Sequence, residues 1–162
     1  MKYKYFFVTS GKGLSITSPL NAFDNALVDA GIGQCNLVKV SSILPEGAKE
    51  ITPYEISPGE ITHCVLAMKK GKEGEVLSAG IGWAFGIDSK NHKHYGVVAE
   101  KGESLPPQQL EKRLLIKLEE MGRVRGMKLG KPKIRIASIP EVPPKHYGCV
   151  IVALIYSSTK HV

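Results

Sequence analysis

Apolar residues return at every second position in some stretches of this chain and at every third or fourth in others, and the changes of period outline its elements. Lys2–Ser10 alternates polar and apolar residues, then turns aromatic and β-branched, which predicts a strand. Gly11-Lys-Gly13 predicts a turn behind it. Leu20, Phe23, Leu27 and Ala30 then recur at helical spacing. Ser18 before Pro19 has the form of an N-cap followed by proline in the first turn, and Gly31 suits the position past the last turn. A helix over Pro19–Ala30 follows, with Asp24 one turn from Leu20, Leu27 and Val28.

Gln34–Ile43 is β-prone and ends at Pro45-Glu-Gly47. Thr52–Gly59 holds two prolines and reads as a surface loop. Ile61–Met68, Val76–Ile87 and His94–Glu100 read as strands, with turns at Lys69–Glu75 and Asp88–His92, so a meander of hairpins is expected over residues 61–100. Leu110, Leu114, Leu118 and Met121 share one stripe and predict a second helix, Pro107–Met121. Ile134–Ile139 and Gly148–Tyr156 are the last strands expected. Without regular βαβ alternation this is an α+β chain of antiparallel strands, and 162 residues suit one domain over 1–162.

Composition changes that picture little. The apolar share of 43% and charged share of 23% are those of an ordinary globular protein. No apolar run is long enough to span a membrane, and the N-terminal apolar stretch is too short for a secretory signal, so a cytoplasmic protein is expected. The net charge of +7 is uneven. Residues 1–100 balance ten basic against ten acidic side chains, whereas residues 101–135 carry ten against four. That patch, from Lys112 to Arg135, could meet a polyanion, but a solvated helix face is the commoner reason for such a run.

Most familiar chemistries lack their pattern. Cys35, Cys64 and Cys149 are widely spaced and form no CxxC pair, so buried thiols are expected and no metal or disulfide framework. Of His63, His92, His94, His146 and His161, only His92-x-His94 could face a metal together, and no third ligand accompanies it. The frames of a phosphate loop, a nucleophile elbow and a dinucleotide fingerprint are all missing.

Residues 18–47 remain. They hold Pro19-Leu-Asn-Ala-Phe-Asp24, Gly31-Ile-Gly33, Asn36-Leu37 and Ser41-Ser-Ile43, in that order. A serine pair at a strand end is unremarkable alone. The ordered set resembles the processing region of the pyruvoyl-dependent arginine decarboxylases. Tyr95-Gly-Val-Val-Ala-Glu100, the long helix, Met121-Gly and Arg125-Gly, and Tyr147–Tyr156 continue the likeness, which covers nearly the whole chain.

The resemblance implies an αββα sandwich of antiparallel sheets with two main helices. It implies a precursor, or zymogen, that cuts itself between Ser41 and Ser42 into a β chain, 1–41, and an α chain, 42–162. Ser42 would become a covalent pyruvoyl cofactor, with no metal. Asn36 would polarise the Ser41 carbonyl, and Glu100 would return a proton to the substrate carbon. Asp24 would meet the guanidinium of arginine, with Leu20, Gly33 and Cys35 lining the same pocket. The reaction would release agmatine and CO2, a step of polyamine biosynthesis. The protein would assemble as a trimer or a dimer of trimers with its active site between protomers, without nucleic acid or membrane. Two alternatives stay open: the same chemistry on another amino acid, and an unprocessed polyanion-binding homologue. The first stays because only Asp24 speaks for arginine.

Overall fold

The chain builds two five-stranded sheets packed face to face, with one helix on each outer side; this computed structural model describes residues 3–160. Lys2 and His161 lie outside the described residues.

The first sheet has the order β2-β5-β10-β1-β4. Its centre is β10 (Tyr147–Ser157), antiparallel to both β1 (Tyr5–Ser15) and β5 (Ile61–Lys72). Two short strands close its edges: β2 (Asn36–Lys39) on β5 and β4 (Lys49–Glu50) on β1. Both edge pairs run parallel, so the sheet is mixed rather than antiparallel throughout. Parallel neighbours need a long crossover, and the chain between Lys39 and Ile61 supplies it by visiting the other sheet and returning through the 52–59 loop.

The second sheet joins β3 (Ile43–Leu44), β7 (His94–Glu103) and β6 (Leu77–Asp88), and β6 pairs along its far side with β8 (Met127–Leu129) and β9 (Lys133–Ile139). β6 and β7 form the expected hairpin. β5 does not join a meander with them: it lies in the opposite sheet. Both of its faces are buried, Val65 and Ala67 between the sheets, Cys64 and Leu66 toward the first helix. A strand covered on both sides shows little alternation, which hides its sheet membership from the sequence.

The first helix, α1 (Pro19–Asp29), starts as its residues predict: the Ser18 hydroxyl accepts from the Asn21 N–H at 3.1 Å, and Pro19 opens the first turn. Gly31 follows it at φ 74°. Gly11 and Gly13 do not turn the chain; they lie inside β1, where α1 crosses it. A Cβ on Gly13 would come within 2.0 Å of the Ala22 carbonyl oxygen, and one on Gly11 within 2.1 Å of that of Ala26. These glycines let a helix backbone rest directly on a strand. The second helix, α2 (Pro107–Val124), lays Leu110, Leu114 and Leu118 on β6 and β7.

Candidate active site

The chain passes from one sheet to the other at the serine pair. At the end of β2, the Val40 N–H donates to the Cys64 carbonyl of β5 at 2.9 Å. Two residues later, the Ser42 carbonyl accepts from the Val98 N–H of β7 at 2.9 Å, and β3 begins. The predicted strand over Gln34–Ile43 is therefore two strands in two sheets. The peptide unit between the anchors is free of the ladders: among the described residues neither the Ser41 carbonyl nor the Ser42 N–H makes a hydrogen bond.

Register brings Glu100 to Ser42. Ile43 pairs with Val97, so Ser42 lies across from Val98, and residues directly opposite share a face. Val97 and Ala99 face α2, and Val98 faces the space between the sheets. Ser42 and Glu100 take the Val98 side. They are diagonal cross-strand neighbours, about 7–8 Å apart in the backbone and within reach of a glutamate side chain.

Glu100 also closes a gap that β2 leaves. Were β2 to continue, the Leu66 N–H of β5 would donate to the Val40 carbonyl. Instead the Leu66 N–H lies near enough to the Glu100 carboxylate to favour its charged form. The Glu100 side chain still reaches solvent in the single chain. The strands around it nevertheless remove enough water to raise its pKa above the ordinary carboxylate range. Lys39, the Leu66 N–H and Lys117 oppose that rise without cancelling it.

The other expected site residues form a second group. Asp24 is exposed on α1 between the exposed Leu20 and Val28, and makes no hydrogen bond or ion pair among the described residues. Gly33 packs under the end of α1, where a Cβ would strike Val28 at 2.8 Å. Cys35 Sγ donates to the Ile32 carbonyl at 3.2 Å, and burial raises its pKa. The Asn36 amide donates to the Gly59 carbonyl at 3.0 Å. Ser41 lies five positions further along, about 16 Å if the segment is fully extended. Within one chain, then, Ser41, Ser42 and Glu100 come together, while Asn36 and the α1 residues stand apart from them.

Three side chains near the serine pair escaped sequence reasoning. A cleft of about 450 Å³ is lined by Ser41, Val40, Ile43, Pro45, Tyr3, His63 and Tyr156. In it the Tyr3 hydroxyl meets His63 Nδ1 at 2.5 Å, and the Tyr156 hydroxyl donates to the Ile43 carbonyl at 2.8 Å. No sequence spacing links positions 3, 63 and 156; only the order of the first sheet does. Elsewhere, no group of three or more His, Cys, Asp or Glu side chains among the described residues could hold a metal. The basic run divides between α2 and β9, and Arg113, Arg123 and Lys133 are paired with Glu103, Glu120 and Glu50.

A family model described as pyruvoyl-dependent arginine decarboxylase matches residues 5–161. The pyruvoyl-dependent arginine decarboxylase of Methanothermobacter thermautotrophicus is 37% identical over 124 residues, 75% of this chain and 78% of that one. That of Methanopyrus kandleri is 34% identical over 153 residues, 94% of this chain and 96% of its own. A solved pyruvoyl-dependent histidine decarboxylase at pH 8 aligns over 65% of this chain and 54% of that chain, with a TM-score of 0.49 and 15% identity.

Proposed function

The chain belongs to the pyruvoyl-dependent arginine decarboxylase family, and on that premise we propose that it cuts itself between Ser41 and Ser42 and then converts L-arginine to agmatine and CO2. The observation that carries this reading is the serine peptide unit, held by hydrogen bonds on both sides and bare itself. A planar, resonance-stabilised amide resists attack, and one released from ladder bonds between two fixed anchors is easier to deform.

In the cut, Ser42 Oγ bonds to the Ser41 carbonyl carbon, the C–N bond breaks, and the amide nitrogen takes the hydroxyl proton. The Ser42 Cα proton and the Ser41 carboxylate then leave, and water replaces the nitrogen as ammonia, giving a carboxylate at Ser41 and a ketone at residue 42. The surroundings fit that product. A pyruvoyl group has no N–H, and the Ser42 N–H has no partner to lose among the described residues. It keeps the residue 42 carbonyl, which Val98 already holds.

A pyruvoyl group supplies an electrophilic ketone for the substrate amine and a neighbouring carbonyl that accepts the electron pair freed as CO2 departs. The chain's own residues do the rest. Glu100, diagonal to residue 42 and biased toward its neutral form, delivers a proton to the substrate Cα. Asp24 meets the guanidinium, flanked by Leu20, with Gly33 and Cys35 shaping the same pocket. Asn36 donates to the Ser41 carbonyl. Since Asn36 and Asp24 stand away from Ser42 in their own chain, they serve a neighbouring copy, and the active site is completed between protomers of a cytoplasmic homo-oligomer.

The test is the denatured mass of the purified protein with an agmatine assay. Two chains, the larger carrying a ketone at residue 42, and agmatine from arginine support the reading; a single stable chain without activity refutes it. Asp24→Asn should leave cutting intact and weaken arginine. Losing a hydrogen bond between charged groups costs about 1.5–3 kcal/mol, or roughly 10- to 150-fold in KM, with kcat less affected. An unchanged KM would take Asp24 out of the binding site and point to another amino acid.

A further inference from the structure

The cut leaves a new charge whose destination the decarboxylation does not explain. Resting on the self-cleavage proposed above, the Ser41 carboxylate appears one residue beyond the Val40 N–H that still ties the β chain to Cys64. On one side stands Glu100, whose carboxylate is influenced by the Leu66 N–H next to that tie. Two carboxylates sharing a partly desolvated site disfavour each other's charge. The nearest cation on β2, Lys39, is already set against Glu100.

On the other side lies the cleft that Ser41 lines. Val40, Ile43 and Pro45 make much of its wall apolar, which is poor surroundings for a bare carboxylate. Two of its polar groups are committed: the Tyr156 hydroxyl to the Ile43 carbonyl and the Tyr3 hydroxyl to His63 Nδ1. Tyr3 engages Nδ1, and the ring's other nitrogen, Nε2, makes no hydrogen bond among the described residues. A cleft beside Ser41 thus holds one oriented ring nitrogen without a partner among the described residues.

We propose that His63, oriented by Tyr3, captures the Ser41 carboxylate released by the cut and holds it in this cleft. The ligand is the chain's own new C-terminus. Its removal from beside Glu100 clears room for the substrate's carboxylate, and it gives the shortened β2 end a second anchor in place of the lost link to β3.

The self-cleaved protein is treated with a carboxypeptidase under native conditions, and the β-chain mass is followed with time. The wild-type β chain should keep Val40 and Ser41. His63→Gln, neutral and of similar size, should be trimmed at least tenfold faster, and His63→Lys, which restores a donor able to pair with a carboxylate, should regain protection. Trimming of the wild type as fast as an unfolded β chain, equal resistance in His63→Gln, or a Lys variant as labile as the Gln variant would each overturn the proposal. Should His63→Gln fail to cut, Tyr3→Phe, which leaves the ring in place without its partner, is read the same way: faster trimming supports capture and unchanged resistance overturns it. A wild-type chain that never cuts shows one mass before any peptidase is added, and that result removes the self-cleavage and the capture together.

Discussion

Ser42→Ala accumulates as one uncut chain of 162 residues and makes no agmatine above background. The change removes the one atom that can attack the Ser41 carbonyl, and with it the source of the ketone. It should not unfold the protein. Ser42 is half-buried and its structural hydrogen bond, to the Val98 N–H, is made by the backbone, which alanine keeps. A native circular dichroism spectrum with a single denatured mass is therefore the expected pair of observations. Ser41→Ala separates the roles: it keeps a carbonyl at 41 and a hydroxyl at 42, so it should still cut. An uncut Ser42→Ala protein with normal turnover would end the pyruvoyl reading, since no other residue in the chain could then supply the group.

Glu100→Gln should cut but lose turnover, by roughly 10²–10⁴-fold, the usual worth of a positioned general acid. Glutamine keeps the size and an acceptor oxygen facing the Leu66 N–H while the transferable proton is lost. The pH profile tests the same residue in the wild type. Burial raises the Glu100 pKa, so the carboxyl keeps its proton to higher pH than an exposed glutamate would. In the proposed reaction its protonated form is the donor, so its share of turnover should be full below that raised pKa and fall as pH climbs through it. Lys39 lowers the pKa, so Lys39→Met should move the falling limb to higher pH. Near-normal turnover in Glu100→Gln would remove it as the proton donor.

Local signals foretold the helices well. The Ser18-Pro19 start, the Gly31 stop and the leucine stripe of α2 each depend on neighbours within a turn, and each is found where the residues place it. The sandwich followed from the family resemblance, and the structure has its four layers. What escaped was tertiary. Gly11 and Gly13 have turn composition but serve a helix–strand contact that no local window contains. Val38 to Ile43 reads as continuous strand because the two sheets accept the same β-branched residues. Of the site, Ser42 and Glu100 could be named from the likeness, but their diagonal pairing depends on register between β3 and β7. Their distance from Asn36 depends on where β2 ends.

The place of β1 has a consequence for the life of the mature molecule. This strand lies inside the first sheet, paired along its whole length with β10, and α1 is laid across it. If the chain is cut at Ser41 as proposed, both elements belong to a separate polypeptide held only by noncovalent contacts. Assembly was a unimolecular search for the precursor, with two ends of one chain at high effective concentration. For the severed pair it is a bimolecular encounter, and the larger fragment must wait with an open sheet exposed. A molecule so cut is built once, as a single chain. Afterwards its endurance is set by how slowly it opens rather than by how readily it could form again.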